Sequence, residues 1–120
     1  MGAIVMIETV KQASELIIER LDKAFKPKLH HRYQLMVVDN VYDQTYNFFL
    51  DIWHQHNRRR SIPLHSVVTY ELQFLEQVIN QITANTNLTI VYINFHQQRW
   101  PLSQRIIYGR TLDVNKQRKS

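Results

Sequence analysis

Cysteine is absent from the 120-residue chain, which excludes structural disulfides and thiolate chemistry at the outset. Glycine occurs only twice and proline three times. No internal repeat, low-complexity tract or interdomain linker interrupts the sequence. No apolar run approaches the roughly 20 residues that cross a bilayer as a helix. Residues 3–7 are apolar but too short, and they lack the basic flank of a secretion signal. The chain therefore reads as a soluble cytoplasmic protein, and Asn87-Leu88-Thr89 as an unused glycosylation match. At this length one domain buries a core without covalent staples.

Acidic residues are scarce in one region. Residues 1–95 carry nine Lys/Arg and nine Asp/Glu, which cancel, whereas residues 96–120 set Arg99, Arg105, Arg110, Lys116, Arg118 and Lys119 against Asp113 alone. The net charge of +5 is therefore C-terminal. Such a segment attracts phosphates or an acidic protein surface. We take residues 1–112 as a single domain and 113–120 as a basic, flexible tail.

What is present organises around residues 61–95. Leu64, Val68, Leu72, Leu75, Ile79 and Ile82 step by three or four, which predicts a helix over 61–83. Ser61 and Pro63 fit its first turn. Residues 88–95 (Leu-Thr-Ile-Val-Tyr-Ile-Asn-Phe) are β-branched and aromatic, apolar on both faces, and predict an inner strand.

Upstream, Thr9 and Gln12 have capping-box spacing, and Val10, Ala13, Ile17, Leu21 and Ala24 form a stripe that Pro27 ends. Residues 33–39 predict a strand. Asn40 offers a cap for a helix over 41–56, with Tyr42, Tyr46, Phe49, Leu50 and Trp53 on one side, although these residue types also favour strands. Residues 96–103 turn the chain, and 105–112 predict a last strand hairpinned onto the one before it. The expected order is helix, strand, helix, helix, strand, strand. This is an α+β fold with a small sheet of about three strands and helices packed on it. Its open edges invite a second copy of the chain, so a homo-oligomer is expected.

The densest basic cluster is Arg58, Arg59 and Arg60, whose guanidiniums suit bidentate contact with phosphate, with His54, His56 and His65 near in sequence. The competing reading is that Glu8, Asp51 or Glu71 neutralises the cluster. Arg60 and His65 also have the Arg-x4-His spacing of a class of helical, metal-independent ribonucleases. Ser61 departs from that class's pattern, and the strands argue against its all-helical fold. The six histidines lack the i, i+4 spacing of helical zinc ligands, so no metal site is expected. Asp39 and Asp43 read as turn or cap residues rather than metal ligands. The aromatic surplus over residues 33–53 suggests a second apolar contact, with Phe48, Trp53 and Trp100 as oligomer-interface candidates.

These observations favour a non-enzymatic binding protein without a cofactor and without a membrane role. It would contact nucleic acid or an acidic partner through Arg58, Arg59, Arg60, Arg110, Lys116, Arg118 and Lys119. An oligomeric assembly or adaptor protein, such as a phage-type subunit, is the alternative. A ribonuclease using Arg60 and His65 comes third.

Overall fold

Residues 7–26, 31–54 and 59–110 are described by a computed structural model of the chain. Their order is α1 (Val10–Ala24), β1 (His31–Asn40), β2 (Thr45–His54), β3 (Arg60–Val67), α2 (Leu72–Thr83), β4 (Ile90–Ile93) and β5 (Gly109–Arg110). The fold is α+β, as the composition of the segments predicts. The sheet, however, is larger than expected, mixed, and ordered β3-β2-β1-β4-β5. Residues 1–6, which read as a leader or a short edge strand, the helix-ending Pro27 and the tail 113–120 lie outside the described residues.

Helix α1 begins where the capping box places it. The Thr9 hydroxyl accepts from the Gln12 amide at 3.1 Å, and the Gln12 side chain accepts from the Thr9 amide at 2.9 Å. Its buried face is Ala13, Ser14, Ile17 and Leu21.

The expected helix over 41–56 is instead a strand. Residues 41–44 form a turn and β2 folds back antiparallel on β1, pairing Leu35 with Leu50 and Val37 with Phe48. Asn40 explains the misreading. Its side-chain oxygen accepts from the amide of Asp43 at 3.1 Å, the same bond to the third residue onward that caps a helix. Gln44 then adopts φ 55, a left-handed conformation that a helix cannot continue through.

The expected helix over 61–83 is also shorter than its pattern. Its first part is β3, and α2 begins only at Leu72. Strand β3 pairs with β2, with a register shift between Phe48 and Phe49 that leaves Leu64 as the extra residue between Pro63 and His65. The bulge sets Leu64 and Val67 three apart in the core, so a strand acquires helical spacing.

Strand β4 is an inner strand, as its two apolar faces predict. It pairs with β1 on one side and β5 on the other, both parallel. The expected hairpin with the following segment is not formed, because residues 96–106 cross α2 before returning. The buried Glu76 carboxylate of α2 accepts from the amides of Leu102 at 2.7 Å and Ser103 at 3.0 Å, fixing that crossing. A Cβ at Gly109 would collide with the Tyr92 carbonyl, so the close approach of β5 requires glycine.

Both helices cover one sheet face. The core there contains Ile17, Leu35, Val37, Phe48, Leu50, Leu75, Val78 and Ile82. Phe48 is fully buried in it, so its expected role in an oligomer interface is corrected to core packing. The other sheet face carries the alternate residues, and it holds the charged site.

Candidate functional site

Alternation along β1 and β2 sends Arg32, Gln34, Met36 and Val38, with Trp53, Asp51, Phe49 and Asn47 opposite them, to the helix-free face. On β3 the matching residues are Ser61 and Pro63, preceded by Arg59. The strands therefore set out rows across the sheet. The outermost row is Arg32, Trp53 and Arg59, with the Arg59 guanidinium 5.2 Å above the Trp53 ring.

The next row inward is Gln34, Asp51 and Ser61. Asp51 is fully buried. Its carboxylate accepts from Arg59 Nη2 at 2.6 Å, from Gln34 Nε2 at 3.1 Å and from the Ser61 hydroxyl. A buried carboxylate is tolerated only when paired and hydrogen-bonded, and these three donors meet that condition. The Asp51 carboxylate in turn holds the Arg59 guanidinium in place. Arg59 contacts Met36 Sδ at 3.6 Å, while its side chain stays 38% exposed.

Around this end of the sheet runs a groove lined by His31, Arg32, Tyr33, Gln34, Trp53, His54 and Thr89. Strand β4 starts opposite Leu35, so residues 31–34 of β1 extend beyond it and form one wall. The His31 and His54 rings meet edge to face at 4.6 Å. Arg60, paired with Ile52, lies on the helix-bearing side of the same end and is exposed. Arg32 and Arg59 thus share the helix-free face with one buried carboxylate, which Arg59 pairs, while Arg60 stands at the same end of the sheet on its other face.

No protein family, curated relative or solved structure matches the chain. The functional reading consequently rests on the placement of its own residues.

Of the residues singled out from sequence, Arg59, Arg60 and Trp53 share this end. Arg58, Lys116, Arg118 and Lys119 lie outside the described residues. Arg110 is in β5, paired with Ile93 at the far edge and far end of the sheet. Strand spacing and rise put its backbone on the order of 25 Å from Arg60. Trp100 is half-buried against Tyr92 and Phe95, at ring distances of 5.4 and 6.4 Å, and closes the core beside the crossing segment. Arg32 was missed by sequence reasoning. The available signal was its position at the start of an alternating strand, on the same parity as Gln34 and Met36.

Arg60 and His65 do not form a shared site. They stand on one strand rather than one helix, about 15 Å apart by strand rise. His65 Nε2 lies 2.9 Å from Glu8 Oε1. Among the described residues no group of three or more His, Asp or Glu is placed to hold a metal ion. No helix among them is long and apolar enough to cross a membrane.

A second polar cluster occupies the opposite end of the sheet. Buried Asp39 accepts from the Tyr70 hydroxyl and from Gln98 Nε2 at 3.4 Å. Tyr46 stacks on Tyr70 at 4.9 Å and on Phe95 at 5.9 Å. Burial, then its hydrogen bond to Asp39 and that residue's charge, raise Tyr70 to about 12. Burial, then Asp39 and Tyr70, raise Tyr46 further still. Both phenols therefore stay protonated at neutral pH, Tyr70 as a donor to Asp39 and Tyr46 as a packing surface.

Proposed function

We propose that this chain acts by binding nucleic acid, through phosphate contacts made by the Arg32–Trp53–Arg59 row and the adjacent Arg60. The observation that carries this reading is the row itself. Two guanidiniums flank an indole on a face that no helix covers, and the nearby Asp51 is buried and spent on Arg59. Guanidiniums recognise phosphate by paired hydrogen bonds, and a fixed one loses less entropy on binding. The basic C-terminal residues Lys116, Arg118 and Lys119 add a second contact. With Arg110 far from Arg60, one ligand reaching both must be a polymer rather than a small anion.

The test is fluorescence anisotropy with labelled oligonucleotides over a salt series. We expect affinity to fall steeply with salt, and Arg32→Ala with Arg60→Ala to weaken binding across all sequences and flatten the salt slope. Arg59 is left intact in this pair because it also neutralises Asp51. Undetectable binding at low salt ends the proposal.

A second reading, self-assembly or adaptor contact, draws on the opposite end. Tyr42 is 99% exposed at the β1–β2 turn beside Val41, and exposed Val68 follows β3 at the same end. Solvated apolar groups gathered this way suit a protein contact. Sedimentation across a concentration range tests it: a parent that stays monomeric, or a Tyr42→Lys variant that associates like the parent, removes this reading.

A further inference from the structure

We infer that the groove beside the Arg32–Trp53–Arg59 row accepts unpaired nucleotides, so that its ligand is single-stranded nucleic acid rather than duplex. The inference rests on the nucleic-acid reading above and adds to it the base-stacking role of Trp53. Arginines alone read phosphates and do not distinguish strandedness. The rings do.

Trp53, Tyr33, His31 and His54 line one groove together with Arg32. Trp53 and Arg32 come from the helix-free face and the other three rings from the opposite parity at the open end of the strands, so π surfaces and a cation border the same cavity. Arg59 extends the platform. Its guanidinium sits over the indole and is anchored to buried Asp51, which fixes a plane on which a base can stack while N–H groups remain for a phosphate. Single-strand binders combine these two elements, a cationic track and aromatic faces that accept any base. In a duplex the base faces are already stacked on one another and the rings would have nothing to receive. Trp53 lies on the helix-free face, and the overhang of β1 beyond β4 keeps the groove open at its side.

The experiment compares a single strand with the duplex of the same sequence, in deoxyribose and ribose forms, by anisotropy at fixed salt. We expect the single strand to bind on the order of tenfold tighter than the duplex. Trp53→Leu, which keeps apolar bulk beneath Arg59 but removes the π face, should erase that preference. Arg32→Ala should weaken both ligands alike. The chain has two tryptophans, so Trp100→Phe isolates Trp53 fluorescence, which the single strand should quench. Equal binding of the two forms, or a Trp53→Leu protein as selective as the parent, overturns the inference and leaves phosphate contact as the whole interaction. Absence of binding to either form overturns the nucleic-acid reading and this inference with it. The deoxyribose and ribose arms identify which polymer fits.

Discussion

Two adjacent arginines, Arg59 and Arg60, have different roles, and the difference is set by where β3 begins. Arg59 is bonded to a fully buried carboxylate, whereas the Arg60 side chain makes no hydrogen bond or ion pair among the described residues. Arg59→Ala leaves Asp51 buried with only neutral donors and should cost about 2–3 kcal/mol. Arg60→Ala should stay within about 0.5 kcal/mol of the parent. Urea unfolding of the two variants checks this, and equal midpoints would contradict it. The sequence made the basic cluster visible and named Asp51 among its three candidate neutralisers. It could not show which arginine Asp51 takes, because that depends on the Ser61–Asp51 register. It also hid Arg32, which joins the site only through pairing with Trp53 across a hairpin that had not been recognised.

At the scale of elements, the two misread segments fail for physical reasons that can be stated. In β2 the outward residues Phe49 and Trp53 are apolar too, so the alternation of Tyr46, Phe48, Leu50 and Ile52 is masked. In β3 a bulge replaces period two with a three-residue step. The segments with clean local signals, α1 and β1, are placed as expected. The same β3 also bears on assembly. Pro63 and the bulge interrupt its free edge, and the Arg20 guanidinium donates to the Leu64 carbonyl there. These are devices that discourage strand-to-strand pairing, so self-association through this edge is disfavoured. Helix α2 offers a separate prediction. Its N-cap residue, Glu71, has extended backbone angles (φ −127, ψ 129) but makes no side-chain cap bond. Glu71→Ser supplies a short acceptor to the free amides and should stabilise the fold by about 0.5–1 kcal/mol. A melting temperature that does not rise would show that these amides are already satisfied.

The whole molecule is tied together by aromatic contacts that run from the β3–α2 connection to the segment after β4. Tyr70 stacks on Tyr46, Tyr46 on Phe95, and Phe95 meets both Tyr92 and Trp100. This join links regions distant in sequence, which is why the parallel pairing of β1 with β4 was not legible beforehand. Nothing local to residues 33–39 or 88–95 specifies that they are neighbours. The same contacts set a pH limit. Burial raises Tyr92 to about 12, and burial with Asp39 raises Tyr70 to about 12, both from 10.0. A phenol whose ionisation is raised on folding contributes stability that is complete below pH 10 and lost as pH climbs toward 12. Unfolding midpoints should therefore hold steady up to about pH 10 and decline above it, with tyrosinate absorbance rising together with loss of structure. Tyr70→Phe separates this cause from general alkaline effects. It removes one donor to Asp39, costing about 1 kcal/mol at neutral pH, and should make the decline above pH 10 shallower. A Tyr70→Phe protein whose alkaline decline parallels the parent's would place the sensitivity elsewhere.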